Sequence, residues 1–318
     1  MIKGICVTGG RGFIGLRLVA ELTRIGAQVR VLSRTPRSDD QNTTYYVGDL
    51  ANAEGDLSGL LADIDVIFHC AGEVKEPALM RPLHVDGTAR LLKAARHQIR
   101  LTGRPIHWVQ LSSVGAYGPP AGAAHESRVV VETSPCSPVG EYEITKTLSD
   151  ALIEECACIE SLFSFSTLRP SNVIGPTMSN QSLRSLVSMI EKRFFFYIGS
   201  KQAVATYVHV DDVVAALVLC GSHADARGHI FNLSNDCLLA NIVDAVARHN
   251  NLPSPTLCLP ELPVRIAARL GSLVAHTPLT QERIDALVKR TCYPTTKIES
   301  RLGYVSKFFI PTSVASMF

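Results

Sequence analysis

Thr8-Gly9-Gly10-Arg11-Gly12-Phe13-Ile14-Gly15 decides how the rest of this chain is read. A run of β-formers over 2–8 precedes it, and an apolar-periodic stretch carrying Phe13, Leu16, Val19, Ala20 and Ile25 follows, so a glycine-rich turn joins a strand to a helix. Glycines here allow a tight turn and close backbone approach to a pyrophosphate. The helix N-terminus beyond them offers unpaired N–H groups and the positive end of a dipole. The stretch therefore reads as a dinucleotide-binding loop in which Gly9, Arg11, Gly12, Phe13, Ile14 and Gly15 meet the cofactor.

Outward from the loop, 29–32 is a second short apolar strand, and the alternation goes on. Strands are expected at 45–47, 66–70, 106–111 and 162–168, with helices at 53–61, 83–97 and around Tyr142. Strands separated by helix-length connections imply a parallel sheet covered on both faces, a Rossmann-type doubly wound α/β fold. After Arg169-Pro170 the rhythm loosens. Helix-like stretches at 182–192, 211–220, 240–249, 263–274 and 280–289 alternate with short strands and proline-bearing loops, which suits a smaller, mostly helical lobe closing over the strand ends. The dinucleotide-binding domain is expected over 1–169 with a return near 206–232, and the substrate lobe over 170–205 and 233–318.

The chain has 318 residues, 46% of them hydrophobic, enough for a full core, and a net charge of +2 gives no support for a nucleic-acid partner or a membrane surface. Its nine cysteines are an odd set without a CxxC pair and often sit in apolar runs, as in Ile5-Cys6-Val7. They read as small core residues in a reducing cytoplasm, with no disulfide frame and no metal site. Neither a signal peptide nor a membrane anchor is legible, because the apolar stretch 213–220 is too short to span a bilayer.

The end of the second strand reports on the dinucleotide. An acidic residue there would accept from a ribose 2′-hydroxyl, but the chain has Ser33-Arg34, with Arg37 nearby and Arg11 in the loop. A guanidinium favours a 2′-phosphate, so NADP(H) is expected over NAD(H), unless Arg34 is simply a solvated loop residue. Asp49, followed by Leu50, would accept from the adenine amino group or cap a turn. Cys70, Ala71 and Gly72 leave the fourth strand as small residues over which a cofactor can lie, and His69 before them reads as structural.

Tyr142-Glu143-Ile144-Thr145-Lys146 places a phenol and an ammonium one helical turn apart on one face. A free phenol titrates near 10 and is a poor base at neutral pH. A cation roughly 4 Å away at an effective dielectric near 20 is worth about 4 kcal/mol, so Lys146 is expected to draw Tyr142 down toward the working range.

The ordered set Thr8 to Gly15, Gly48-Asp49-Leu50, His69 to Gly72, Val85-Asp86-Gly87-Thr88, Leu111-Ser112-Ser113 through Tyr117-Gly118, Tyr142 with Lys146, Leu168-Arg169-Pro170, Tyr207 to Val213 and Leu302-Gly303-Tyr304 resembles the extended short-chain dehydrogenase/reductase superfamily, specifically its NAD(P)-dependent nucleotide-sugar epimerase/dehydratase family. The resemblance runs over nearly the whole chain. It implies that Ser113 hydrogen-bonds the reacting oxygen, that Tyr142 moves the hydroxyl proton, that Lys146 orients the nicotinamide ribose, and that the chain pairs as a homodimer. Asn172 falls where nucleotide-sugar members touch the diphosphate.

Departures matter as much. His84 stands where the family usually has Asn. The residues after Ser113 lack the Asp-Glu pair of the dehydratases, which argues against water elimination. Ala205 occupies the place of an arginine that many nucleotide-sugar members direct at the diphosphate; Lys201, Arg193 or Arg283 could replace it. The run Phe194-Phe195-Phe196-Tyr197 is lobe core or a stacking surface.

These readings converge on an NADP(H)-dependent C4 epimerase or C4-ketoreductase of a nucleotide-sugar in the cytoplasm, with Ser113, Asn172 and Lys201 toward the substrate. The alternative is a reductase or dehydrogenase of a hydrophobic alcohol or ketone, like the hydroxysteroid dehydrogenase and flavonol reductase branches. A catalytically silent NADP-binding sensor is a third, weaker reading.

Overall fold

Seven short runs dominated by apolar and β-branched residues form one sheet in a computed structural model that describes residues 4–52, 55–57, 59–178, 181–274 and 280–317. The strands are β1 (Gly4–Thr8), β2 (Gln28–Ser33), β3 (Thr43–Val47), β4 (Val66–His69), β5 (Ile106–Leu111), β6 (Phe163–Pro170) and β7 (His229–Leu233). Their spatial order is 3-2-1-4-5-6-7, and every neighbouring pair is parallel. The chain reverses direction of travel between β1 and β4, so the crevice at their carboxyl ends is where this class of sheet receives a ligand.

Side chains alternate between the two faces as the pleat requires. Ile5, Val7, Val29, Val31, Phe68, Val109, Leu168 and Phe231 enter one core. Helix α1 (Phe13–Arg24) brings Leu18, Val19 and Leu22 to that layer, and the helix Val210–Ser222 brings Val213, Val214 and Leu217. On the other face Cys6, Leu32, Ile67 and Trp108 meet α3 (Gly87–Thr102) through Leu91, Leu92 and Ile99, and α4 (Glu141–Ile159) through Ile153. A short α2 (Pro77–Arg81) precedes α3 and runs into it through a π-helical turn over Pro82–Asp86.

A third core belongs to the lobe. Helices α5 (Gln181–Glu191) and α7 (Leu239–His249), which precede and follow α6 (Val210–Ser222) in chain order, and the short helix Ile310–Ala315 enclose Leu183, Val187, Phe195, Tyr197, Ile242, Val246, Ile310 and Val314. The aromatic run is thus mostly interior, with Phe194 left at the surface.

Two expectations are corrected. Over 53–61 a helix was expected; the described residues there form only a 3₁₀ turn at Gly59–Leu61, with 53, 54 and 58 outside the description. Gly55 and Gly59 disfavour a helix, and the burial of Leu57, Leu60 and Leu61 pins the segment instead. The helix Thr296–Leu302, read as part of the lobe, packs on the sheet, because Ile298, Leu302 and Tyr304 are buried in the core that holds residues of β1, β4 and β7. No helix among the described residues is long and apolar enough to cross a membrane.

Candidate active site

The glycine loop is shaped by contacts that admit no side chain. Gly9 has φ +67°, and a Cβ on it would lie 2.6 Å from the backbone of Cys70 and Ala71. A Cβ on Gly15 would overlap the Gly9 carbonyl. The loop is therefore pressed onto the exit of β4, and its own backbone closes through Gly12 N–H donating to the Gly9 carbonyl at 2.9 Å. Gly12 is the N-cap of α1 and offers no side chain, so the first-turn N–H groups face outward unsatisfied by any cap. This cradle suits a pyrophosphate, as the sequence reading expects. The Phe13 side chain turns to the lobe core and Ile14 to the sheet core, leaving their backbone to the loop.

At the end of β2, Arg34 is exposed and makes no contact with another charged group among the described residues, whereas Arg37 lies over the Tyr45 ring at 5.3 Å. Arg11 donates to the Thr35 hydroxyl, which carries its guanidinium to the same turn. Asp49 accepts from Ala51 N–H at 2.9 Å and so caps its own turn, the second of the two roles considered for it. Leu50 is buried in the core layer against α3, so its side chain packs and only its backbone is left to face a ligand.

A buried polar chain ties this end to the helix carrying Tyr142. The Thr8 hydroxyl meets His69 Nδ1 at 2.7 Å, His69 Nε2 meets Thr88 at 3.0 Å, and Thr88 meets Ser149 on α4 at 3.0 Å. Gln110 donates to Ser149 and accepts from Trp108 Nε1. Burial holds His69 well below its usual pKa, so it is neutral, which agrees with a structural histidine.

Tyr142 opens α4 and Lys146 follows one turn later, 4% exposed. Neither the phenol nor the ammonium hydrogen-bonds within the described chain. Burial lowers the Lys146 pKa, opposed by Asp150 and Cys70, so its charge is felt at the loop leaving β4. The expected effect on Tyr142 is corrected here. Burial, then the carboxylates of Glu143 and Asp150, push the phenol up to about 12. Desolvation of the anion is the largest cause, and it keeps Tyr142 a neutral phenol at neutral pH.

Ser113 N-caps the 3₁₀ turn Val114–Tyr117, its Oγ accepting from Gly115 N–H at 3.0 Å. Because it accepts there, its own proton is free to be donated. Ser112 spends its proton on Asp150 at 2.6 Å, so the two adjacent serines have separate roles. A Cβ on Gly115 would crowd the Glu143 side chain at 2.5 Å, which shows how closely this turn abuts the start of α4.

Asn172 is exposed, its amide nitrogen held by the Thr206 carbonyl at 3.1 Å with Oδ1 left over. Lys201 caps the Tyr197 ring at 4.7 Å on the lobe, and no contact joins it to Ser113 or Tyr142. Ala205 is buried and pairs with Cys237.

Two features escaped the sequence reading. Asp150 and Arg169 form an ion pair at 3.1 Å with side chains 2% and 4% exposed, and Arg169 lies 5.0 Å over the Tyr117 ring. Burial works against the Arg169 charge, and Asp150, Tyr117 and Cys136 together more than offset it. The only signal was an acid one turn beyond Lys146. Arg128 also donates to the Tyr117 and Gly118 carbonyls, clasping the loop after Ser113.

Comparison with known proteins gives a consistent picture. A family model described as NAD dependent epimerase/dehydratase matches residues 5–234. UDP-glucose 4-epimerase of Mycolicibacterium smegmatis is 30% identical over 252 residues, 71% of this chain and 75% of that protein. Sterol-4-alpha-carboxylate 3-dehydrogenase, decarboxylating, of Mus musculus is 24% identical over 244 residues, 74% of this chain but only 64% of that protein. UDP-glucose 4-epimerase of Thermotoga maritima, solved with UDP-glucose, superposes with a TM-score of 0.71 over 98% of this chain and 96% of that one at 20% identity, a likeness of fold.

Proposed function

This chain belongs to the NAD dependent epimerase/dehydratase family, and within it we propose an NADP(H)-dependent enzyme that acts on a hydroxyl or ketone of a nucleotide-sugar, as a C4-ketoreductase or C4 epimerase. The observation that carries the proposal is the placement of buried Lys146 with its charge reaching Cys70, on the loop against which Gly9 is packed, one turn from Tyr142. A glycine cradle, a floor of small residues and a proton donor thus follow one another across the strand ends.

The dinucleotide, when bound, supplies or accepts the hydride at the substrate carbon. In reduction, the Ser113 hydroxyl donates to the carbonyl oxygen and Tyr142 delivers its proton to that oxygen as it becomes an alcohol. In oxidation the proton returns to Tyr142. Lys146, which makes no hydrogen bond among the described residues, would hold a ribose hydroxyl and favour the phenolate when it forms. A neutral-pH phenol suits reduction. Arg34 and Arg11, brought to one turn, support NADP(H). The same proposal includes Asn172 toward the diphosphate and a cytoplasmic homodimer.

Ala205, small where an arginine would meet a diphosphate, and the sterol dehydrogenase likeness favour a second reading, reduction of a hydrophobic ketone or alcohol. A panel of UDP- and dTDP-sugars, followed by NADPH absorbance and by interconversion of C4 epimers, separates them. Turnover of neither kind, with no thermal shift by UDP or dTDP, refutes the nucleotide-sugar proposal.

A further inference from the structure

His84 lies in the middle of the π-helical turn Pro82–Asp86, which adds a residue to the helical register between α2 and α3. Such turns re-aim a side chain and recur at functional sites. Here the re-aimed side chain is 1% exposed and faces the first turn of α4. Its ring stands edge-on to Tyr142, centroids 5.7 Å apart and planes at 82°. Its nitrogens have opposite roles. Glu73 N–H can only donate, so Nε2 accepts from it at 2.8 Å, and Nδ1 must carry the proton toward Thr145 Oγ1 at 2.8 Å. Thr145 passes its own proton to the Glu141 carbonyl at 2.7 Å, which closes the chain of donors.

Every proton in that chain is committed, so His84 has no path by which to relay one to Tyr142. It also stays uncharged: burial first and Lys146 second hold its pKa down to about 4, against the opposing influence of Glu73. What it does instead is join two parts of the site. Glu73 follows Cys70-Ala71-Gly72, the loop on which Gly9 rests, and Thr145 lies between Tyr142 and Lys146 in sequence.

We propose that His84 is a positioning residue, a neutral bracket between the cofactor-side loop and the catalytic helix that sets the distance and angle of the Tyr142 hydroxyl. The inference rests on the reading of Tyr142 as the proton donor.

The test compares His84→Phe, which keeps the ring and removes both hydrogen bonds, with His84→Gln, which restores one acceptor and one donor. Misplacement of a reacting group by about 1 Å costs on the order of 100-fold. His84→Phe is expected to lower kcat by that order, with KM for the carbonyl substrate and NADPH affinity within about threefold. His84→Gln recovers part of the loss. Thr145→Val, which removes the acceptor of Nδ1–H together with the donor to the Glu141 carbonyl, provides a milder variant should the phenylalanine fail to fold, and the double variant costs no more than His84→Phe alone. A second arm needs no substrate: hydrogen exchange of the Glu73 amide is protected in the parent and in Thr145→Val, which keeps the Nε2 acceptor, released in His84→Phe, and protected again in His84→Gln. Parental kcat in His84→Phe, a loss confined to KM or folded fraction, or unchanged Glu73 exchange overturns the bracket. A parent inactive on every nucleotide-sugar counts against the functional proposal, and the exchange arm still decides the bracket.

Discussion

Asp150→Asn removes one charge from an ion pair that is almost wholly out of water. Arg169 is then left buried with its Nη1 on the Cys136 sulfur at 3.6 Å and its Nε without a partner. Breaking a buried pair from one side costs about 3–5 kcal/mol, because the remaining charge loses its compensation. For a chain of this size the entropy of unfolding is about 0.7 kcal/mol/K, so the midpoint should fall by about 4–8 °C. The asparagine still accepts from Ser112, which isolates the charge from the hydrogen bond. Thermal unfolding followed by circular dichroism at neutral pH gives the number directly. Replacing Arg169 as well, in Asp150→Asn/Arg169→Met, takes away the stranded cation and should recover half or more of the loss. The reasoning fails if the single variant melts within about 1 °C of the parent, or if the double variant costs as much as the two single ones together.

Arg34→Ala should raise the KM for NADPH about tenfold, the lower end of a charged hydrogen bond after allowance for exposure, and leave the KM for NADH unchanged. An equal rise for both cofactors in initial-rate assays would show that Arg34 does not read the 2′-phosphate. The direction of the Tyr142 shift gives a pH dependence. Reduction needs the protonated phenol, which a pKa near 12 keeps present throughout the neutral range, so kcat/KM for reduction should not fall until strongly alkaline pH. Oxidation needs the phenolate, about one molecule in 10⁵ at pH 7, and should rise about tenfold per pH unit. A reductive profile that collapses above pH 7, or an oxidative one that is flat, contradicts the protonation state assigned.

The parts legible in the sequence were those fixed by backbone geometry over a few residues. Gly9 and Gly15 announced a close approach, and the structure supplies the surfaces they approach, the Cys70–Ala71 backbone and the Gly9 carbonyl. The i, i+4 relation of Tyr142 and Lys146 followed from helix periodicity alone. What escaped depends on burial or on partners distant in the chain. The pull of Lys146 on Tyr142 is expected at an effective dielectric near 20, and burial raises the phenol instead. Asp150 and Arg169 lie on different elements, so nothing local paired them. The place of His84 escaped because a π turn cannot be read from a pattern with a 3.6-residue period. The described residues of 53–61 show the reverse case, where Leu57, Leu60 and Leu61 pin a segment whose only helical part is the 3₁₀ turn Gly59–Leu61.

NADPH consumption with the nucleotide-sugar panel, measured for the parent beside Tyr142→Phe, tests the central claim most directly. Loss of a general acid costs about 10²–10⁴ in rate, so Tyr142→Phe should lose that much while binding NADPH as the parent does. A Tyr142→Phe variant that consumes NADPH, or interconverts C4 epimers, at the parental rate would contradict the assignment of the proton to this phenol.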